Sequence, residues 1–336
     1  MHITAKSPCR VDLAGGTLDI WPLYLFHKDS VTVNFAVDRY THCELKTRGD
    51  KKIVLRAADQ KSEESFDSLE ELTAARKFKL PLLAYVLRYF RPQTGIEVDT
   101  TSEAPTGAGI SGSSSLIITL ASALNKLTGA RYDIEKIREI AQNVEAQIIR
   151  VPTGCQDYYP AMYGGISAIE LTPAGIYRKG IDVNLDDFNE RIVLAYTGVP
   201  RNSGINNWEV TKAHINGDKA VHKNFDKIAA IACGMRKAME RQDWTEAARL
   251  LREEWGHRKT NAPGISTPLI DRLIEVTRKA GARGAKVCGA GGGGCVFFLV
   301  DRGAKARVSQ LIEENGSQVL NVSVAPKGVR VKVLEQ

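Results

Sequence analysis

No apolar run in these 336 residues reaches the roughly 18 to 20 needed to cross a bilayer, and the opening stretch MHITAKSPCRVDL lacks the apolar core of a secretory signal. These absences predict a cytoplasmic protein that works without a membrane. The six cysteines, Cys9, Cys43, Cys155, Cys233, Cys288 and Cys295, contain no C-x-x-C pair, which favours reduced thiols over a disulfide framework or a zinc site. The six histidines are equally dispersed, and none stands at a helical metal-ligand spacing from another, so the sequence gives little support to a histidine metal centre. Blocks of one charge sign are missing too. The 46 basic and 39 acidic residues are interspersed, which gives no support for nucleic-acid binding. Their net charge of +7 would still draw in an anionic substrate. There is no internal repeat, and at 43% hydrophobic and 25% charged the chain has the composition of an ordinary globular protein, long enough for two domains.

What is present concentrates in the run Pro105-Thr106-Gly107-Ala108-Gly109-Ile110-Ser111-Gly112-Ser113-Ser114-Ser115. Residues 96–102 before it are rich in β-branched types, and 116–127 after it are apolar helix formers, so the loop delivers the chain to a helix start. Free backbone N–H groups and the positive end of the helix dipole then make an anion cradle, which glycines let a ligand approach. Gly107-x-Gly109-x-x-Gly112 also matches a dinucleotide fingerprint. Against that reading, the preceding strand is half polar, Glu103, Ala104 and Pro105 intervene, and Asp133 reads as a helix cap rather than a ribose ligand. A P-loop needs a lysine beside the phosphates, and none lies between Asp99 and Lys126. Serines stand there instead, suited to a metal-bridged nucleotide if a carboxylate elsewhere completes the metal site. The plain alternative is a helix start capped by Ser111 or Ser113.

Two carboxylates fit such chemistry. Glu145 lies in the helical stretch 134–149, and Asp157 follows twelve residues later in the turn-rich PTGCQDYYPAMYGG. A solvated helix glutamate and an Asx-turn aspartate are the ordinary alternatives. The run Gly291 to Gly294 holds more glycines than a simple turn needs, which implies close approach of its backbone to something else.

Three ordered segments together resemble the GHMP small-molecule kinases. They are Ser7-Pro8-Cys9-Arg10-Val11-Asp12-Leu13-Ala14-Gly15-Gly16-Thr17-Leu18-Asp19, the 105–115 loop, and Val287-Cys288-Gly289-Ala290-Gly291-Gly292-Gly293-Gly294-Cys295. The resemblance implies an α/β (α+β) fold of two domains. The N-terminal one, 1–180, would resemble ribosomal protein S5 domain 2, and the C-terminal one, 190–336, would be ferredoxin-like, with the boundary in 171–190. It implies ATP and Mg2+ as cofactors. Gly107, Ala108, Gly109, Ile110, Ser111, Gly112, Ser113 and Ser114 would bind the phosphates. Glu145 with Ser113 would hold the metal; Ser114 stays open as the ligand because Ser111 and Gly112 look exchanged relative to the family order. Asp157 and Arg10 would be catalytic. The acceptor would meet Arg10, Gly16, Thr17, Asp19, Asp157, Gly165, Gly291 and Gly292.

Gly-Gly-Thr-Leu-Asp at 15–19, Gln156-Asp157 and the 289–294 glycines are similar to D-glycero-D-manno-heptose 7-phosphate kinases and the fucokinase-like branch. That similarity implies transfer to a sugar or sugar phosphate, at the anomeric hydroxyl. Galactose, fucose and N-acetylhexosamine are alternative acceptors. From other classes, a silent sugar-binding regulator would keep the scaffold without turnover, and an NAD(P)-binding oxidoreductase would bind a nicotinamide cofactor in place of ATP.

Periodicity predicts strands over 31–37, 42–47, 52–56 and 96–102 and helices over 80–90, 113–127 and 134–149. It further predicts a strand at RIVLAYTG, helices over 222–241, 244–255 and 268–280, and strands over 296–300, 318–324 and 329–334.

Overall fold

A computed structural model describes the backbone of residues 1–200 and 203–334, with side chains except for 203–206. Its first sheet contains β1 (His2–Ala14), β2 (Val31–Thr47), β3 (Ile53–Ala57), β4 (Ser62–Phe66), β5 (Ile96–Ser102), β6 (Ile166–Thr172) and β7 (Gly175–Ile181). The second sheet takes β8 (Ile192–Tyr196), β9 (Ala282–Val287), β10 (Cys295–Val300) and β11 (Gln318–Leu320); β12 (Arg330–Leu334) returns to the first. The larger sheet has the order β12-β1-β2-β5-β3-β4, with β6 and β7 joined to the first half of β2. All its pairings are antiparallel except β3 with β5.

The smaller sheet is antiparallel, in the order β11-β8-β10-β9. Counted within that domain the order is 4-1-3-2, the split βαβ arrangement of ferredoxin-like folds. The two expected domain architectures are present.

Three apolar cores hold these layers. Helices Pro81–Phe90, Gly112–Thr128 and Ile134–Ile149 cover one face of the first sheet, burying Leu83, Leu87, Ile117, Leu120, Leu124 and Val144 against it. A second core lies between the sheets, where Val11, Leu13, Val33 and Phe35 meet Ile231, Met235, Leu251 and Phe297. The third fills the far side of the smaller sheet around Val193, Phe298, Ile270 and Val308. Adjacent Phe297 and Phe298 belong to different cores because side chains alternate across a strand. The same alternation turns Cys9, Val11 and Leu13 into the middle core, while Arg10 and Asp12 line the cleft between the domains.

Several elements differ from expectation. Segments 31–37 and 42–47 are one strand, because β2 changes partner midway: Val31–Phe35 pair with β6 and Thr41–Thr47 with β5, while β1 runs along the other side. The expected boundary at 171–190 falls on the β6–β7 hairpin and the short helix Leu185–Asn189. The division at 190 also fails to separate the sheets, since β12 pairs with β1, Ile3 opposite Val333. Strands β1, β4, β6, β7 and β9 and the helices Leu69–Ala74, Tyr158–Tyr163, Ser203–Ile215 and Lys305–Glu314 had no predicted counterpart. Among the described residues, no helix is long and apolar enough to cross a membrane.

Candidate active site in the interdomain cleft

A cleft of about 1030 Å3 runs between the domains and is lined by the 104–114 loop, Arg10, Asp12, Thr17, Asp19, Glu145 and Asp157. The loop ends at the helix Gly112–Thr128, whose preceding residue, Ser111, adopts φ +59°. A non-glycine residue in the left-handed region is held there by its surroundings. Here the Arg10 N–H donates to the Ile110 carbonyl at 3.0 Å, and the Arg10 Nη1 to the Gly109 carbonyl at 3.0 Å. The ordinary capping role is not played, since Ser111 makes no side-chain cap bond and its buried hydroxyl has no hydrogen-bond partner. An unpaired hydroxyl beside an uncapped helix start fits an anionic oxygen that accepts from both.

Glu145 stands where the helix Ile134–Ile149 passes the loop. Ser113 Oγ donates to its Oε1 at 2.6 Å, and Ser114 Oγ and the Tyr158 hydroxyl donate to its Oε2 at 2.9 and 2.6 Å. Burial raises the Glu145 carboxyl pKa against the lowering effect of those three donors. The Ser113 side is open while Ser114 is buried. A carboxylate and a hydroxyl converging at an opening are hard oxygen donors, and they fit Mg2+, whose charge would offset the cost of the buried carboxylate.

Arg10 is the hub of the cleft. Besides holding the loop, it donates from Nε to Asp157 Oδ1 at 2.8 Å, with Nη2 2.7 Å from the same oxygen. Burial opposes the Arg10 charge, but the charges of Asp157 and Asp12 and the bond to Asp157 outweigh it and raise its pKa. Asp19 accepts from the Gln156 N–H at 2.8 Å, and Gln156 is itself held by Asn34 Nδ2 at 3.2 Å from its carbonyl. Burial, with the Asp157 charge adding to it, lifts the Asp19 carboxyl from 3.8 to about 7, although the Gln156 N–H works the other way.

The glycine run approaches the loop as its composition implied. Cys295 N–H donates to the Ala108 carbonyl at 2.6 Å, and a Cβ on Gly294 would lie 2.6 Å from that carbonyl oxygen at φ +75°. Not every expected residue reaches the cleft wall. Gly291 and Gly292 pack against Ile265, and Gly165 is bound into the sheet by Ala36 and Ala325. Gly16 sits behind Thr17, where a Cβ would meet Asp12, Arg258 and Gln156.

One constellation had no counterpart in the sequence reading. Asp12 from β1, Lys286 from β9, and Glu254 and Arg258 from the helix Trp244–Arg258 form a buried ion cluster joining the domains. Lys286 Nζ lies 2.7 Å from Asp12 Oδ2 and 3.0 Å from Glu254 Oε1; Arg258 Nη1 is 3.1 and 3.4 Å from the same two atoms. Lys286, then Arg258 and Arg10, outweigh burial and hold the Asp12 carboxyl below its usual range. Arg258 Nη2 also donates to the Gly289 carbonyl at 2.8 Å, tying the cluster to the glycine run. Asp12 was visible inside the first motif, but nothing local pairs it with a lysine 274 residues away.

A ferredoxin-like domain closing over a serine-rich anion cradle, with a carboxylate, an arginine and an aspartate in the cleft, defines a small-molecule phosphotransferase scaffold. Family comparison agrees: the model for the GHMP kinases N terminal domain matches residues 77–165 and that for the GHMP kinases C terminal matches 235–318. The chain belongs to the GHMP kinase family, whose members are ATP-dependent kinases. It is similar to the D-glycero-alpha-D-manno-heptose 7-phosphate kinase of Campylobacter jejuni, at 27% identity over 98% of each chain. In fold it resembles a D-glycero-D-manno-heptose 1-phosphate kinase from Bacteroides thetaiotaomicron, with TM-score 0.79, 21% identity, and 99% and 100% of the two chains covered. It also resembles the galactokinase of Lactococcus lactis, with TM-score 0.81, 21% identity, and coverage of 98% and 95%.

Proposed function

We propose that this protein is an ATP- and Mg2+-dependent sugar kinase acting on the anomeric hydroxyl of a sugar phosphate, D-glycero-D-manno-heptose 7-phosphate foremost. The carrying observation is the Arg10–Asp157 pair, held against the phosphate loop by the Arg10 bond to the Gly109 carbonyl. N–H groups of the loop and the start of the helix Gly112–Thr128 bind the ATP phosphates, with the unpaired Ser111 hydroxyl as an added donor. Ser113 and Glu145 would hold Mg2+, which when bound neutralises phosphate charge. The acceptor hydroxyl oxygen attacks the γ-phosphorus, the bond to the ADP oxygen breaks, and the hydroxyl proton passes to the Asp157 carboxylate. Arg10 orients that carboxylate and stabilises charge on the transferring group. Asp19, fixed by Gln156, accepts from sugar hydroxyls. Thr17 on the cleft wall flanks the acceptor, with Gly16 behind it.

The heptose reading rests on the end-to-end match to the Campylobacter jejuni enzyme. An ATPase-coupled screen tests it with heptose 7-phosphate, galactose, fucose and N-acetylhexosamines. Turnover should be highest with the heptose phosphate; a preference for an unphosphorylated sugar would reassign the acceptor. Thermal stabilisation by NAD or NADP but not MgATP would overturn the kinase reading.

A further inference from the structure

Dispersed along the sequence, His27, His214 and His222 converge in the fold, a grouping that their spacing in the sequence does not reveal. His27 follows the helical turn Leu23–Phe26, His214 lies in the last turn of the helix Ser203–Ile215, and His222 lies in the first turn of Lys219–Glu240. One ring nitrogen from each lies within 4.8 Å of the other two. His27 and His214 are buried and His222 is half-buried. His27 Nε2 and His214 Nε2 face each other at 2.8 Å, and the His214 and His222 ring centres are 3.9 Å apart.

The surrounding groups fix where the protons sit. Asp226 Oδ1 lies 2.7 Å from His27 Nδ1, so the proton of a neutral His27 is on Nδ1 and its Nε2 presents a lone pair. His222 Nε2 lies 2.9 Å from the His214 carbonyl, which can only accept, so that nitrogen carries the His222 proton and Nδ1 its lone pair. His214 then has no satisfactory tautomer. With its lone pair on Nε2, two lone pairs confront each other at 2.8 Å; with a proton there, its Nδ1 lone pair is left buried, and that atom has no hydrogen-bond partner. A cation that accepts the Nε2 lone pairs of both His27 and His214 removes the first conflict and places the His214 proton on Nδ1. The Asp226–His27 contact also supplies the carboxylate that commonly orients a ligating imidazole.

We propose that His27, His214 and His222 bind a first-row transition cation, Zn2+ foremost, at a site separate from the kinase cleft. Three imidazoles suit Zn2+ rather than Mg2+, which prefers oxygen. With ligand bonds of about 2.0–2.1 Å, tetrahedral donors lie about 3.3 Å apart, so small side-chain shifts close the present spread. The cation ties three elements together behind the acceptor loop. The His214 helix carries Asn207, whose Oδ1 accepts from Thr17 Oγ1 at 3.4 Å, and Trp208 on the cleft wall. The His27 segment follows Asp19 by eight residues. The site is therefore structural, and the proposal stands apart from the identity of the acceptor.

The test uses the full chain without an affinity tag, stripped by chelator and kept in excess Mg2+ so that the oxygen site cannot report. Co2+ is titrated while its visible d–d absorption is read, and Zn2+ retained after desalting is measured by elemental analysis. One equivalent per chain is expected, with the intense band of four-coordinate Co2+. His222→Gln and His27→Gln should each weaken binding at least tenfold, and Asp226→Asn, on an exposed carboxylate, about 10–100-fold. Metal-free melting curves of each variant separate loss of the site from loss of the fold. Wild-type protein retaining under a tenth of an equivalent would overturn the proposal, as would binding undiminished in both histidine variants. Should both histidine variants misfold, Asp226→Asn alone decides in the same way.

Discussion

In the proposed reaction Asp157 and Arg10 would divide one task between them: Asp157 would meet the acceptor hydroxyl, while Arg10 holds its carboxylate and grips the 105–115 loop. Asp157→Asn keeps the size and removes the proton acceptor. It should lower kcat by at least about 100-fold with little change in ATP affinity, measured in steady-state kinetics with a separate nucleotide-binding assay. Asp19 titrates where an enzyme works. With its carboxyl at about 7, kcat/KM for the acceptor should rise with pH through that value as the ionised form becomes able to accept from sugar hydroxyls. The same shift bears on stability with the opposite sense. Between 3.8 and about 7 the folded protein keeps a proton that the unfolded chain has lost, so stability falls as pH rises through that window. Asp19→Asn should flatten both dependences, read as kcat/KM and as melting temperature against pH. The glycines, the serines and Asp157 were legible as single residues because they stand in turn-rich segments, whereas Glu145, on a helix, was legible only through the order of the motifs. Lys286 and Glu254 were not, because an ordinary charged residue in a strand or helix gives no sign of burial.

Elements convert those residues into a site by close backbone approach. Gly294 lies over the phosphate loop with no room for a methyl group, at a φ of +75° that an L side chain rarely adopts. Gly294→Ala carries strain of about 1–3 kcal/mol and must push the loop. It should raise the KM for ATP roughly tenfold while leaving the KM for the acceptor within about twofold. The helices after the phosphate loop were readable because their apolar stripes persist for three or more turns. Strand β1 was not, because Ser7 stands on its apolar face and Pro8 on the other, which blurs the alternation of Ile3, Ala5, Cys9, Val11 and Leu13 with Lys6, Arg10 and Asp12. Strand β9 was hidden similarly, as its sequence ARGAKV buries a lysine that only a distant aspartate makes tolerable. Local pattern fails where function displaces it.

At the scale of the whole molecule, four buried charges of zero net sum pin the domains beside the cleft. Removing one partner leaves carboxylates buried without compensation. Lys286→Met should destabilise the protein by about 3–5 kcal/mol, measured by denaturant unfolding. Adding Glu254→Gln should recover much of that loss, since Asp12 and Arg258 then balance. Two-domain architecture was legible from motif order, but the path of the chain between domains was not. The helix Lys219–Glu240 gives Val221 and Phe225 to the first core and Met235 and Met239 to the middle one, a division that only three-dimensional packing decides.

The pairing of β12 with β1 reaches beyond the finished fold. A ribosome releases His2–Lys6 long before Arg330–Leu334, so one rim of the larger sheet stays unpaired while the intervening chain is made. Until the last strand arrives, that rim is an open template for any neighbouring nascent chain. Completion of the first domain is thereby made conditional on completion of the second.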